Sequence, residues 1–434
     1  MSHQLTLQIT RGYLRYALTL LALANLINYM DRMIFSVVLE QIKHEFVLSD
    51  TQIGLLAGFA FAIFFATFGL VIARLADRYD RTRIIALSIL VWSAVTALTG
   101  AAQNFWQLFL ARIGVGVGEA GVSPAATALV ADYFEPKRRA AALAILTAGS
   151  TSGMMVGLGL GGWMAERYGW RWAFIVAGIV GVPLSWVIGK TLREVPRGCS
   201  DGKIEAPGSP LSLVEALRVL LTRKTYVYLV VAGCMENCVA FGILQWMPAF
   251  VIRRFTLEVA HVGLFFGMSI GLGQAAGAVL GGTLADRLAQ RDLRWLIRIP
   301  FVTSFLSVPI YEAAIFASSS TANFALICLI NVIYGLGFGP ILAVMQSVVP
   351  STLRATGMAF YAFAGGLVGA GCGPFLVGMM SDALAPSMGK VQSLQLALGI
   401  LVLLAIVVPY FFYRAMGSFA KDMGQPAEPL GSVN

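Results

Sequence analysis

"FVLSDTQIGLLAG", Phe46–Gly58, and "FTLEVAHVGLFFG", Phe255–Gly267, are two copies of one stretch. Each opens on Phe, a β-branched residue and Leu, and each closes on Gly-Leu-x-x-Gly. Farther along, "LADR" at Leu75–Arg78 returns as "LADR" at Leu284–Arg287, at the same offset and without a gap. "GVGEAG" at Gly116–Gly121 has a counterpart in "GLGFGP" at Gly335–Pro340. The chain therefore reads as two halves of one ancestry.

Composition says what kind of halves they are. The chain is 58% hydrophobic and 12% charged, against about 25% charged in a soluble globular chain. Most stretches between polar breaks reach the roughly 20 apolar residues that cross a bilayer. That excludes a soluble enzyme with one large core and predicts an all-α polytopic membrane protein. The first apolar segment, from near Leu14 to Leu39, has no small-residue cleavage site after a short apolar core, so it is expected to remain as a helix.

Twelve spans are predicted, near 14–40, 51–76, 83–102, 105–133, 139–166, 170–192, 225–251, 258–285, 295–317, 322–349, 354–383 and 392–416. They divide into a six-helix half over 1–192, a linker over 193–224, and a second six-helix half with a tail over 225–434. The net charge of +9 is not spread evenly. Arg74, Arg78, Arg81 and Arg83, then Lys137–Arg139, the linker, and Arg287–Arg298 hold most of the basic residues, in alternate loops. This pattern is topogenic rather than a nucleic-acid footprint. It puts both termini in the cytoplasm, with a bacterial inner membrane as the expected location. The linker ends in "SLVEALRVLL", where Ser212 and Glu215 have capping-box spacing and Leu213, Leu217, Leu220 and Leu221 share a face. A short helix on the membrane surface is expected there.

Several motifs mislead. "GVGEAG" fits the dinucleotide fingerprint, but it lies inside an apolar helix with no preceding strand. There its glycines serve close helix packing. "GKT" at Gly189–Thr191 lacks the earlier glycine of a phosphate loop, so no ATP site is expected. Five cysteines without paired spacing read as free thiols, and three scattered histidines make no metal site. No cofactor is expected, and no nucleophile–base pair supports an enzyme.

The informative residues are charges inside the apolar spans. An ionisable group at the centre of a membrane helix costs roughly 2.5–3.5 kcal/mol on insertion scales. The first span nevertheless carries Asp31 and Arg32, with Asn25, Asn28, Arg32 and Ser36 on one stripe and Asp31 on its flank. In the fourth span Arg112, Gly116, Glu119 and Ser123 share a stripe. At about 1.5 Å per residue, Asp31 falls between Glu119 and Arg112 in depth. One reading is a fixed ion-pair network between two helices. The other is a proton and substrate site, since intramembrane carboxylates often form proton relays. On the second reading Asp31 and Glu119 are the proton-responsive pair, and Arg32 is released from its neighbour Asp31 on protonation. Burial disfavours an ionised carboxylate while a nearby arginine favours it, so motion that exchanges one for the other moves a proton.

The second half lacks these charges. Asn237 stands where the first half has Asn28, Ala240 and Phe241 replace Asp31 and Arg32, Asn331 replaces Arg112 and Phe338 replaces Glu119. A cavity with one ionisable wall and one apolar wall suits an amphipathic anion. Its head would meet Arg32, Arg112, Asn28 and Ser123, and its body Asn237, Phe241, Asn331 and Phe338.

Over nearly its whole length the chain resembles the major facilitator superfamily. That family's loop signature appears as Ala73, Leu75, Ala76, Asp77, Arg78 and Arg81, with Ala73 and Asp80 in place of two glycines. The second copy keeps Gly282, Leu284, Ala285, Asp286 and Arg287. "SGMMVGLGLGG" from Ser152 is similar to the superfamily's antiporter signature, with Leu158 where proline is usual. "NYMDR" at Asn28–Arg32 and "RIGVGVGEA" at Arg112–Ala120 resemble the Spinster group, which moves lysophospholipids and sphingosine phosphates. Bacterial organic-anion symporters carry a similar pattern. The resemblance implies a proton-coupled, monomeric transporter of amphipathic anions or, alternatively, of small organic carboxylates, surrounded by membrane lipid. It also implies alternating access, with Asp77, Arg78, Arg81, Asp286 and Arg287 gating the cytoplasmic side.

Overall fold

The computed structural model describes residues 10–76, 78–196, 213–350 and 353–423. Among them are twelve helices long and apolar enough to cross a membrane. The first six are α1 (Arg11–Phe46), α2 (Asp50–Ala76), α3 (Arg81–Thr99), α4 (Phe105–Tyr133), α5 (Pro136–Tyr168) and α6 (Trp170–Thr191). A short helix, α7 (Leu213–Thr222), follows. The last six are α8 (Lys224–Phe255), α9 (Val259–Ala289), α10 (Trp295–Ile315), α11 (Ser320–Val348), α12 (Thr356–Met388) and α13 (Lys390–Asp422). An even number of spans brings Arg11 and Asp422 to one side, called here the terminal side. The other is the distal side.

The duplication read in the sequence is present in the backbone. The described non-glycine residues with positive φ are Val47 (φ 53°) and Thr256 (φ 51°). They are the second residues of the two matching stretches, and each ends its helix in a left-handed cap. Gly169 and Gly389 (φ 89° and 80°) form a second pair, at the turns entering α6 and α13. The same chain reversal is thus made twice with the same geometry.

Local signals fix where helices start. Ser49 and Gln52 form a capping box at α2. Asp80 accepts from the backbone N–H of Thr82 (2.9 Å) and Arg83 (3.1 Å), so the residue that breaks the loop signature is the N-cap of α3. The α7 helix exists as expected, but Ala216 and Leu220 are buried and Leu220 reaches Gly357. It docks on the last six spans, and its Leu221 is exposed. Ser212 of the expected capping box lies outside the described residues. Within α12, Gly365–Cys372 is wound as a π-helix, and Gly365 and Gly369 pack against Asn237 of α8. Cys234, Cys238, Cys328 and Cys372 are free thiols, as read from the sequence.

Helix contacts that join the first six spans to the last six include α1 against α8, where Ser36 donates to the Leu244 carbonyl, and two close crossings. At α5–α9, a Cβ on Gly263 would lie 2.3 Å from the Leu158 carbonyl oxygen. At α2–α12, one on Gly378 would lie 2.2 Å from the Asp50 carbonyl oxygen. Backbones can approach this closely only where side chains are absent. Both contacts lie in the distal part of the spans. Toward the terminal side α5 turns to α1, with Gly153 against Leu26 and Gly149 against Ala22. There α9 turns to α11, with Gly277 and Gly281 against Val332 and Leu336. The pairs diverge, so the molecule is closed distally and opens toward the terminal side.

Candidate functional site

A charged network holds the distal closure. Arg253 of α8 donates to Glu40 (2.7 Å) and, through both terminal nitrogens, to Asp50 (2.9 and 2.7 Å). Lys43 also pairs with Asp50. Asp382 of α12 accepts from the backbone N–H of Asp50 (3.0 Å) and Thr51 (2.7 Å), and Ser381 donates to Asp50 (2.7 Å). Glu166 of α5 accepts from the N–H of Val259 on α9 (2.8 Å). The side chains of Arg253 and Asp50 are 8% and 4% exposed, so water screens this network little.

Midway down the first six spans, the four predicted charges come together. Arg32 donates from Nε to Glu119 at 2.5 Å. Its guanidinium lies over the rings of Tyr29, Phe61 and Phe65 at 4.5–4.9 Å, worth about 0.5–2 kcal/mol each depending on desolvation. Arg112 donates from Nε to the Leu56 carbonyl at 3.2 Å and lies over Phe35 and Phe61. Asp31 is 2% exposed and accepts from Thr96 of α3 at 3.1 Å. Asp31 Oδ1, Glu119 Oε1 and Asn28 Nδ2 are buried and make no hydrogen bond within 3.5 Å, with Asn28 beside Glu119 and Trp92 beside Asp31 as the near donors. Each guanidinium makes one described hydrogen bond, so donors remain for an anion.

The pairing differs from the sequence expectation. Arg32 is bound to Glu119 across the α1–α4 contact, while its neighbour Asp31 points to α3. Successive residues on a helix diverge by roughly 100°, so adjacent charges face different neighbours. The sequence reading missed Thr96 and the Phe61–Phe65 pair of α2, which carry no charge to draw attention.

The remaining predicted residues separate. Asn237 packs on the π-helical segment of α12. Asn331 is 9% exposed and tied to Ser269 (3.1 Å) and Gln274 (3.2 Å) of α9. It joins α9 to α11. Phe241 is half-buried, whereas Phe338 (49% exposed) and Ser123 are exposed. Arg81 is buried and bonded to Glu194, Asp132 and the Val195 carbonyl. It fastens the α2–α3 loop within the first six spans and does not reach across. Arg78, Asp286 and Arg287 are exposed on the open side. Asp77 lies outside the described residues.

The Major Facilitator Superfamily model matches residues 21–374, which include the α5–α9 crossing and the charge cluster. The chain belongs to that superfamily. It is 34% identical to an MFS-type efflux pump of Mycolicibacterium smegmatis, over 95% of this chain and 94% of the pump. It is 28% identical to the sphingosine-1-phosphate transporter SPNS2 of Danio rerio (95% and 88%). A hexuronate transporter of Bacillus subtilis is 26% identical (94% and 96%). In three dimensions it resembles a bacterial homolog of the human lysosomal transporter Spinster, solved inward-facing and unoccupied. The TM-score is 0.84 at 28% identity, covering 96% of this chain and 100% of that one. The protein is a Spinster-like member of the superfamily, an integral multi-pass membrane transporter rather than an enzyme.

Proposed function

We propose that this protein is a proton-coupled transporter of amphipathic anions of the lysolipid kind. It works as a monomer by alternating access in a bacterial inner membrane, with its termini cytoplasmic. The observation that carries this is the cluster of Asp31, Arg32, Arg112 and Glu119. It combines unused arginine donors with buried carboxylates that have weakly held oxygens, among aromatic rings. An anionic head that takes Arg32 displaces Glu119. The freed carboxylate then needs a proton, because an unpaired charge is expensive at that depth. Asp31, held by Thr96, is the second proton carrier and joins α1 to α3. Phe241 and Phe338 on the opposite side suit an acyl body. Arg78, Asp286 and Arg287, exposed on the open terminal side, would gate that side as it closes.

The likeness to SPNS2 supports a lipid anion. The likeness to a hexuronate transporter supports a second reading, a symporter of small organic carboxylates, which the same arginines would hold.

Uptake into proteoliposomes with an imposed pH gradient, against a panel of lysolipids and organic acids, tests both. Gradient-driven accumulation of lysolipids, lost in Asp31→Asn while ligand binding persists, is the expected result. Accumulation of short acids alone favours the second reading. Full gradient-driven uptake by Asp31→Asn overturns the proton assignment.

A further inference from the structure

A further carboxylate lies outside the charge cluster. Glu236 of α8 faces a cavity inside the last six spans, walled by α10, α11 and α13. Among the described residues it has no ion pair and no hydrogen bond. Three phenols, Tyr311, Tyr334 and Tyr361, lie within electrostatic range, and no basic side chain lines the cavity.

Much of the rest of the wall is apolar, from Val239, Ala240, Ile330, Ile333, Ala405 and Val408, and the polar remainder is hydroxyl. Thr303, Ser304 and Ser307 of α10 each donate their hydroxyl hydrogen to a backbone carbonyl, at 3.1, 3.0 and 2.8 Å. A hydroxyl has one hydrogen and two lone pairs. With the hydrogen committed, each oxygen turns only acceptor capacity to the cavity. A carboxylate with hydroxyl oxygens and no facing cation calls for a positive guest.

Size and charge narrow the guest. The cavity holds about 30 Å³ of free space, room for about two waters. One carboxylate balances one positive charge, whereas protein sites for divalent ions gather several carboxylates or substrate phosphates. Hard oxygen donors favour an alkali ion over a soft metal.

We propose that Glu236, with Ser304, Ser307 and Tyr311, forms a site for a small monovalent alkali cation, sodium by its size. The site is separate from the Asp31–Glu119 cluster and stands independently of the substrate assigned above. A cation there ties α8 to α10, so occupancy stabilises the folded chain by mass action.

The test is thermal unfolding of the full-length, detergent-purified protein in NaCl, KCl or choline chloride at equal ionic strength, titrated at two pH values. A saturable rise in Tm with NaCl over choline chloride is expected. It should be absent in Glu236→Gln and need several-fold more sodium in Ser307→Ala. Identical curves in NaCl and choline chloride overturn the proposal, as does a sodium response that survives Glu236→Gln. Stability that follows pH but not the cation also overturns it and makes Glu236 a proton site. Should Glu236→Gln not fold, Ser307→Ala and Tyr311→Phe decide: unchanged sodium dependence in both rejects the site.

Discussion

Arg253→Met removes the cation that joins α8 to α1 and α2 while keeping an apolar stem of similar length. It deletes three charge-assisted hydrogen bonds and leaves Glu40 and Asp50 buried with less compensation. Breaking a buried pair from one side costs about 3–5 kcal/mol. Lys43 still serves Asp50, so the lower figure applies. The contact exists only while the distal side is closed, so this loss falls on one of the two conformations. About 3 kcal/mol is a shift of roughly 150-fold toward distal opening. Nitroxide labels at Val47 and Lys390, both exposed near the distal mouth, would report it in a background without native cysteines. Wild type should give mainly short distances, and Arg253→Met a large population of longer ones. Identical distributions in two folded proteins would refute the argument that this network holds the closure.

Gly263→Leu should shift the same labels in the same direction, because its side chain starts 2.3 Å from the Leu158 oxygen and overpacking costs about 1–3 kcal/mol; unchanged distances would mean that α5 and α9 do not need to touch. Val47→Gly should stabilise the protein. A left-handed β-branched residue costs roughly 1–2 kcal/mol, while glycine returns about 0.4–1 kcal/mol through the unfolded chain. The net gain is about 0.5–1 kcal/mol, read as a small rise in Tm, and a fall in Tm would show that the 88% exposed Val47 side chain makes contacts that matter.

The span count and the duplication were legible because bilayer thickness imposes run lengths and because the copies at Phe46 and Phe255 share an offset. The four-charge cluster was legible for a related reason: charge in an apolar span is costly enough to mark a purpose. Its wiring was not. Which spans touch laterally is a tertiary fact, so Thr96 in an uncharged stretch gave no sign that it would hold Asp31. Nor could the sequence tell that Arg32 would choose Glu119. The distal network escaped for the opposite reason. Glu40, Lys43, Asp50 and Arg253 sit at span ends, where charge is ordinary. Arg81 was read as a gate from the family signature, and its ion pairs with Glu194 and Asp132 were not legible because those partners are distant in sequence.

The π-wound Gly365–Cys372 segment makes α12 a helix with two phases. A π turn takes in about one more residue than an α turn, so a single helical wheel cannot describe the whole span. Its terminal part is set against α8 through Tyr361 on Gly233, and its distal part against α2 through Gly378 and Asp382. Deleting one residue from the segment would leave every side chain of the distal part intact. It would still rotate that part by roughly 100° and carry Ser381 and Asp382 away from Asp50. Between two related chains, a one-residue gap at this place is therefore a change of aim, and it can matter more than many substitutions on either side.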